Sequence, residues 1–329
     1  MSKFNLKYLT AAAVLILSCS IFTVDSAWGR ESNEDLHISS PLFDINDVWP
    51  EKEVSPSIEP VGNTFTAPDA TATVRRVNKD SKKSSEKLPF AMPPVNTPQD
   101  LVTSWGYGGR ENMYNGIILK ASGEAWPHST HVALHPLLLK SLLACESGFD
   151  PTAVSYTGAL GIAQITPDTA RRFGLSWSGC RNPNQAIPIG VKVLAEKAKV
   201  VIDPGNYHKL MGVAPEQCLY ASNVAKAYEK LGTPTPQQYW YLMLGAYNGG
   251  GGTILRAMSI AWKQGKDPRE WSNLVGDPKN MSASPLYQAC TEIYKGGAAS
   301  KYRELSAYPV KIINLYNQSV AQEYKINKN

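Results

Sequence analysis

One stretch of the chain carries the signals for a helix and for its end: Pro136-Leu137-Leu138-Leu139-Lys140-Ser141-Leu142-Leu143-Ala144-Cys145-Glu146-Ser147-Gly148-Phe149-Asp150-Pro151. Its apolar residues recur at helical spacing. Pro136 suits a first helical position, because its missing N–H would have no partner there. Gly148 and the pair Asp150-Pro151 are typical of a helix end. The sequence therefore predicts a helix that begins at Pro136 and carries Glu146 in its last turn.

The position of Glu146 favours a protonated carboxyl. At helical spacing it shares a face with Leu139, Leu142 and Leu143. Burial disfavours the charged form, and the negative end of the helix dipole repels it. A carboxyl that keeps its proton near neutral pH can act as a general acid. The alternative is a terminal glutamate that turns to solvent and has no chemical role.

The N-terminus resembles an export signal over residues 1–27. Lys3 and Lys7 precede an apolar segment that is too short for a membrane span. Ile16-Leu17-Ser18-Cys19 resembles a bacterial lipobox, which would lipidate Cys19 and attach the protein to the outer membrane. Cleavage near Val24-Asp25-Ser26-Ala27 would instead leave a soluble periplasmic protein. An uncleaved anchor is the third reading.

Cysteine usage also agrees with export. Without Cys19, four cysteines remain: Cys145, Cys180, Cys218 and Cys290. In an exported protein this number predicts at least one disulfide, and the pairing stays open among three connectivities. Buried free thiols are the alternative. The spacings resemble neither a catalytic cysteine nor a zinc site.

Composition divides the rest of the chain near Thr97-Pro98. Residues 28–97 are rich in proline and charge and lack sustained apolar periodicity, which predicts a disordered linker. Residues 98–329 predict one mostly α domain. The 329-residue chain has a net charge of +5, and no basic and aromatic stripe typical of nucleic-acid binders occurs. His128, His131 and His135 read as surface histidines, so no metal or cofactor is expected.

Proline and threonine mark the expected helix starts within this domain. The predicted helices run from Pro167 to near Gly174, from Pro188 to Val200, from Pro236 to Tyr247 and from Pro309 to about Glu323.

Five segments together resemble the soluble lytic transglycosylase (SLT) domain, which has a lysozyme-like fold. Any one segment is weak, but their order and approximate spacing across 136–312 are specific. Ala163 stands where the family usually has methionine, and the stretch 201–238 is longer than the family commonly needs. The segments are Glu146-Ser147-Gly148-Phe149-Asp150-Pro151, Gly158 to Ala170, Asn182 to Leu194, Ala246-Tyr247-Asn248-Gly249-Gly250, and Glu304 to Ile312.

The resemblance implies a periplasmic enzyme that cleaves the β-1,4 bond between N-acetylmuramic acid and N-acetylglucosamine in peptidoglycan and leaves 1,6-anhydro ends. Glu146 would be the sole acid/base. A single carboxylate suits a mechanism in which the substrate's N-acetyl group replaces the second one. The implied substrate-binding residues are Ser147, Gln164, Tyr247, Asn248 and Tyr308.

Two alternatives stay open at this point. One is a goose-type lysozyme-like hydrolase, and the other is a non-catalytic peptidoglycan-binding module of a secretion or conjugation machine. Glycan strands are the expected partner in all three cases.

Overall fold

The structure is a computed structural model that describes residues 94–128 and 132–326, with side chains through Ser319. The predicted signal at 1–27 with Cys19, nearly all of the predicted linker 28–97, and His131 lie outside the described residues. No described helix is both long and apolar enough to cross a membrane.

The described part of the chain is mostly α-helical, which confirms the predicted fold class. Short 3₁₀ segments connect several of the helices. The helices are α1 (Asn115–Glu124), α2 (Pro136–Ser147), α3 (Pro167–Arg172), α4 (Trp177–Arg181), α5 (Pro183–Ile202), α6 (Tyr207–Met211), α7 (Leu219–Leu231), α8 (Pro236–Gly249), α9 (Gly251–Lys263), α10 (Trp271–Val275), α11 (Pro285–Tyr294) and α12 (Ala298–Ile326).

Local capping explains where the helices of the site begin and end. The α2 helix starts with Pro136 at its first position and stops at Gly148, which adopts the left-handed conformation with φ 61°. Thr166 and Thr235 cap α3 and α8 by accepting backbone N–H bonds. The sequence predicted these starts correctly.

Two predicted helix starts are wrong for one physical reason. Pro188 lies inside α5, which begins at Pro183 behind the cap Asn182. Pro309 lies inside α12, which begins at Ala298. A proline within a helix removes one hydrogen bond at a cost of about 3 kcal/mol. Both helices pack along α8, and this burial offsets that cost.

The core is organised around α8. This helix packs against α5, α9 and α12, and α12 in turn packs against α2. Every residue of α2 from Leu137 to Ala144 is buried. Lys140 is fully buried within that run, and its Nζ donates to the carbonyl of Leu101 and to Asn112 Oδ1. The packing brings the C-terminal ends of α2 and α8 against the middle of α12.

The predicted disulfides are not present. None of Cys145, Cys180, Cys218 and Cys290 forms a disulfide with another described cysteine. They lie on four different elements: α2, α4, the 3₁₀ turn Pro215–Cys218 and α11. A disulfide needs Cα atoms within about 7 Å of each other, and a count of cysteines carries no information on proximity. Burial raises the pKa of Cys145 to about 12 and that of Cys180 to about 11, so both are protonated thiols.

Candidate active site

Glu146 meets Tyr308 where the last turn of α2 contacts α12. The Tyr308 hydroxyl donates a short hydrogen bond to Glu146 Oε1. Tyr308 is 8% exposed, and Glu146 is half-buried. The carboxyl therefore does not point freely into solvent. This contact joins two residues that the sequence analysis placed in the site.

The environment of Glu146 holds its carboxyl near the midpoint of its titration at neutral pH. Burial raises the pKa of Glu146 from its ordinary value of 4.5 to about 7. The hydrogen bond from Tyr308 lowers the pKa, the charge of Glu304 raises it, and the charge of Lys301 lowers it. A carboxyl with this pKa can donate a proton and then take one back.

Tyr247 anchors the end of α8 to the loop that follows α2. Its hydroxyl donates to the carbonyl of Ala163 at 2.9 Å. Gly190 of α5 packs directly against this hydrogen bond. A Cβ at Gly190 would lie 2.9 Å from Ala163 Cβ and 3.7 Å from the Tyr247 hydroxyl. Burial and the charge of Glu146 raise the pKa of Tyr247 well above its ordinary value. Tyr247 is therefore a neutral donor beside Glu146.

Gln164 lies in a tight turn whose backbone is strained. Leu160 and Ile165 exchange two backbone hydrogen bonds of 2.9 Å, and Gln164 adopts a positive φ of 46°. Its side-chain nitrogen donates to the carbonyls of Ala153 and Gly161. The amide oxygen is therefore the end that Gln164 can offer to a ligand. A non-glycine residue held in this region costs about 1–3 kcal/mol and is typical of functional sites.

Ser147 is tied to this loop. Its hydroxyl donates to the carbonyl of Ile162 at 3.0 Å, and the residue is 7% exposed. The contact fixes the distance between the end of α2 and the loop that carries Gln164. The oxygen of Ser147 keeps acceptor capacity, so its predicted role toward substrate remains a prediction.

Asn248 belongs to a charged cluster that the sequence analysis did not assign. Its amide nitrogen donates to Glu304 Oε1 at 2.9 Å, and its amide oxygen accepts from Lys301 at 3.0 Å. Lys301 and Glu304 also contact each other across one turn of α12. Both charges act on the pKa of Glu146. Lys301 and Glu304 are three residues apart on a helix, and this spacing is the signal in the sequence that indicates an ion pair.

Asp150 is engaged elsewhere and stays ionised. Its carboxylate accepts from the backbone and side chain of Thr152 and pairs with Arg110 at 2.8 Å. Burial opposes ionisation there, but these hydrogen bonds outweigh it and the pKa of Asp150 lies below its ordinary value. Asp150 therefore acts as a turn residue.

The described residues contain no cluster of histidine, cysteine and carboxylate side chains able to hold a metal ion. His135 is the cap of α2, where its Nδ1 accepts from the backbone N–H of Leu137.

The family comparison covers the region that holds most of this geometry. Residues 128–269 match the family model for the transglycosylase SLT domain. This part of the chain is similar to SLT domains. The match includes Glu146, Gln164, Tyr247 and Asn248, whereas Tyr308 follows it in sequence.

The curated proteins similar to this chain include several named as lytic murein transglycosylases. The chain is 25% identical over 193 residues to membrane-bound lytic murein transglycosylase F of Salmonella choleraesuis, covering 58% of this chain and 32% of that protein. It is 26% identical over 193 residues to membrane-bound lytic murein transglycosylase C of Pectobacterium atrosepticum, covering 59% and 44%.

A third relative is the endo-type membrane-bound lytic murein transglycosylase A of Citrobacter koseri, at 26% identity over 151 residues, covering 43% of this chain and 58% of that protein. The matched regions thus span between about a third and three-fifths of these relatives.

Proposed function

We propose that this protein is a peptidoglycan lytic transglycosylase in which Glu146 is the only acid/base. The observation that carries the proposal is the Glu146 carboxyl with a pKa of about 7, hydrogen-bonded by Tyr308 at the junction of α2 and α12. The SLT match and the names of the relatives support the reaction class. Export to the periplasm and attachment through Cys19 remain predictions.

The proposed reaction uses one carboxyl twice, first as an acid and then as a base. Protonated Glu146 donates to the bridging oxygen between N-acetylmuramic acid and N-acetylglucosamine, and the C1–O bond breaks. The muramoyl N-acetyl carbonyl stabilises C1. Glu146, now a carboxylate, takes the proton of the C6 hydroxyl, whose oxygen closes the 1,6-anhydro ring at C1. This hydroxyl belongs to the same sugar, which lowers the entropic barrier relative to attack by water.

The neighbouring side chains support a single acid/base. Glu304 is held by Lys301 and Asn248, and Asp150 is held by Arg110 and Thr152. Neither carboxylate is therefore free to act as a nucleophile without breaking its contacts. The oxygen of Gln164 and the remaining N–H of Asn248 would bind sugar hydroxyl or N-acetyl groups.

Mass spectrometry of digested sacculi tests this proposal. Wild-type protein should release muropeptides with 1,6-anhydro ends, and Glu146→Gln should release none. Asp168→Asn is the matched control, because Asp168 is a surface carboxylate whose one ion pair among the described residues is with Arg171, and it should retain full activity. Reducing muramic acid ends would identify a hydrolase. Unchanged clearance of sacculi by Glu146→Gln would identify a binding module.

A further inference from the structure

A groove lies between α8, α10 and α12, and Glu146 does not line it. It is a cavity of about 400 Å³, within the range of about 300–1,000 Å³ that small-molecule sites occupy. Val275 and Val310 form its apolar part. Its polar and aromatic lining comprises Gln237, Gln238, Tyr241, Trp271, Ser272 and Ser306.

The groove faces a different direction from the predicted active site. Tyr241 and Tyr247 are both on α8, but six residues at about 100° each place them about 120° apart around the helix. Ser306 and Tyr308 on α12 are about 160° apart for the same reason. None of the residues that surround Glu146 lines the groove.

The lining is uncharged and partly aromatic. Tyr241 stacks on Trp271 with ring centroids 6.5 Å apart and planes at 21°. The Gln238 amide oxygen accepts from the backbone N–H of Trp271 at 2.9 Å, so the amide nitrogen is the end left for a ligand. Gln237 is exposed. Amides and hydroxyls beside aromatic rings suit a neutral, polyhydroxylated ligand better than an ion.

Trp271 carries an unsatisfied donor at this groove. The residue is 5% exposed, and its indole N–H is buried without an acceptor among the described residues. The opposite edge of the ring is wedged against Gly245, where a Cβ would lie 2.8 Å from Cη2. The ring therefore cannot turn to find a partner within the protein. A buried unpaired donor of this kind calls for an explanation. The nitrogen lies beneath the groove surface, so a ligand would affect it through the stacked rings rather than by direct contact.

We propose that this groove binds a neutral N-acetylhexosamine unit of a glycan strand. The stacked Tyr241 and Trp271 would pack against the sugar or its N-acetyl methyl group, and Gln237 and Gln238 would bond its hydroxyls. That the glycan is peptidoglycan rests on the proposed function. The site would then hold the strand outside the catalytic region.

Titration with tri-N-acetylchitotriose, followed by the indole N–H resonances in ¹H–¹⁵N NMR, tests this proposal. Trp271→Phe identifies the Trp271 resonance. In wild-type protein that resonance should shift saturably at millimolar sugar. Tyr241→Ala and Gln237→Ala should each weaken binding about fivefold. Gln217→Ala, an exposed glutamine outside the groove, should bind like wild type.

Two outcomes overturn the proposal: a Trp271 resonance that does not move, or equal affinities of Gln237→Ala and Gln217→Ala. Because Gln237 is exposed, its substitution should leave the fold intact. The comparison of Gln237→Ala with Gln217→Ala therefore tests the proposal even if Tyr241→Ala fails to fold. An unmoved Trp271 resonance in protein that still releases anhydro-muropeptides refutes the groove alone. A saturable shift in protein that releases no anhydro-muropeptides refutes the proposed reaction alone.

Discussion

Because the pKa of Glu146 is raised, the free energy of unfolding should fall as the pH rises. Comparison with Glu146→Gln measures this effect. The carboxyl titrates at 4.5 when unperturbed and at about 7 in the folded protein. Protonated Glu146 is thus favoured by folding, and this stabilisation is complete below pH 4.5 and lost as the pH rises through 7. The difference corresponds to about 3 kcal/mol as an upper limit, since the group is only half-buried.

Glutamine does not titrate and keeps an oxygen that accepts from Tyr308. We therefore expect Glu146→Gln to match wild type at pH 4 and to exceed its free energy of unfolding by up to about 3 kcal/mol at pH 8. In a domain of this size the gain in Tm is roughly 6–12 °C. Urea denaturation at both pH values measures it. Equal stabilities at pH 8, or a variant less stable than wild type there, would refute a desolvated carboxyl.

Three further predictions concern the same region and the core. Tyr308→Phe removes a hydrogen bond that lowers the pKa of Glu146, so the alkaline limb of lytic activity should move to higher pH; a limb at unchanged or lower pH would contradict the assigned contact. Gly161→Ala should destabilise by more than about 3 kcal/mol in urea denaturation, because its Cβ would lie 1.9 Å from the Cys180 carbonyl at φ 72°. Gly158→Ala, at φ 82° with open space around it, is the control and should cost about 1–2 kcal/mol. Because Cys180, Cys218 and Cys290 are buried, alkylation followed by mass spectrometry should modify them only after unfolding and should find no disulfide; a disulfide-linked peptide among them would contradict the structure.

Local signals predicted the helix that carries Glu146 because its limits are set within a few residues. Pro136 has no N–H to leave unpaired at the start of α2, and the N–H of Gly148 bonds to the Ala144 carbonyl at its end. Both limits can therefore be predicted from neighbouring residues alone. The apolar stripe around Glu146 likewise predicted its burial and the direction of its pKa shift. These are short-range properties, readable without knowledge of the fold.

The partners of Glu146 were a different case. Tyr308 lies 162 residues away in sequence, and nothing in the composition of either segment predicts their contact. Only the resemblance to a family placed them together. The role of Lys301 and Glu304 was missed because their effect on Glu146 depends on how α12 crosses α2 and α8.

The errors share a cause. Rules that hold for isolated segments predict helix starts at Pro188 and Pro309 and disulfides among the cysteines. In the folded protein, packing along α8 overrides the first rule. The second fails because the four cysteines lie on different elements and form no disulfide with one another. Packing also explains Lys140. Although it is charged, it is fully buried within the apolar run of α2, because the Leu101 carbonyl and the Asn112 amide oxygen accept from its Nζ.

The hydrogen bond between Tyr308 and Glu146 also bears on when a newly made chain becomes competent. The two residues are separated by 162 positions, so the contact forms only after α12 has been synthesised and has docked. Pairings of such long range form late and slowly during folding. A chain that ends before α12 would carry Glu146 on a complete α2 and yet lack the hydroxyl that orients it. Catalytic competence is in this sense a property of the finished chain.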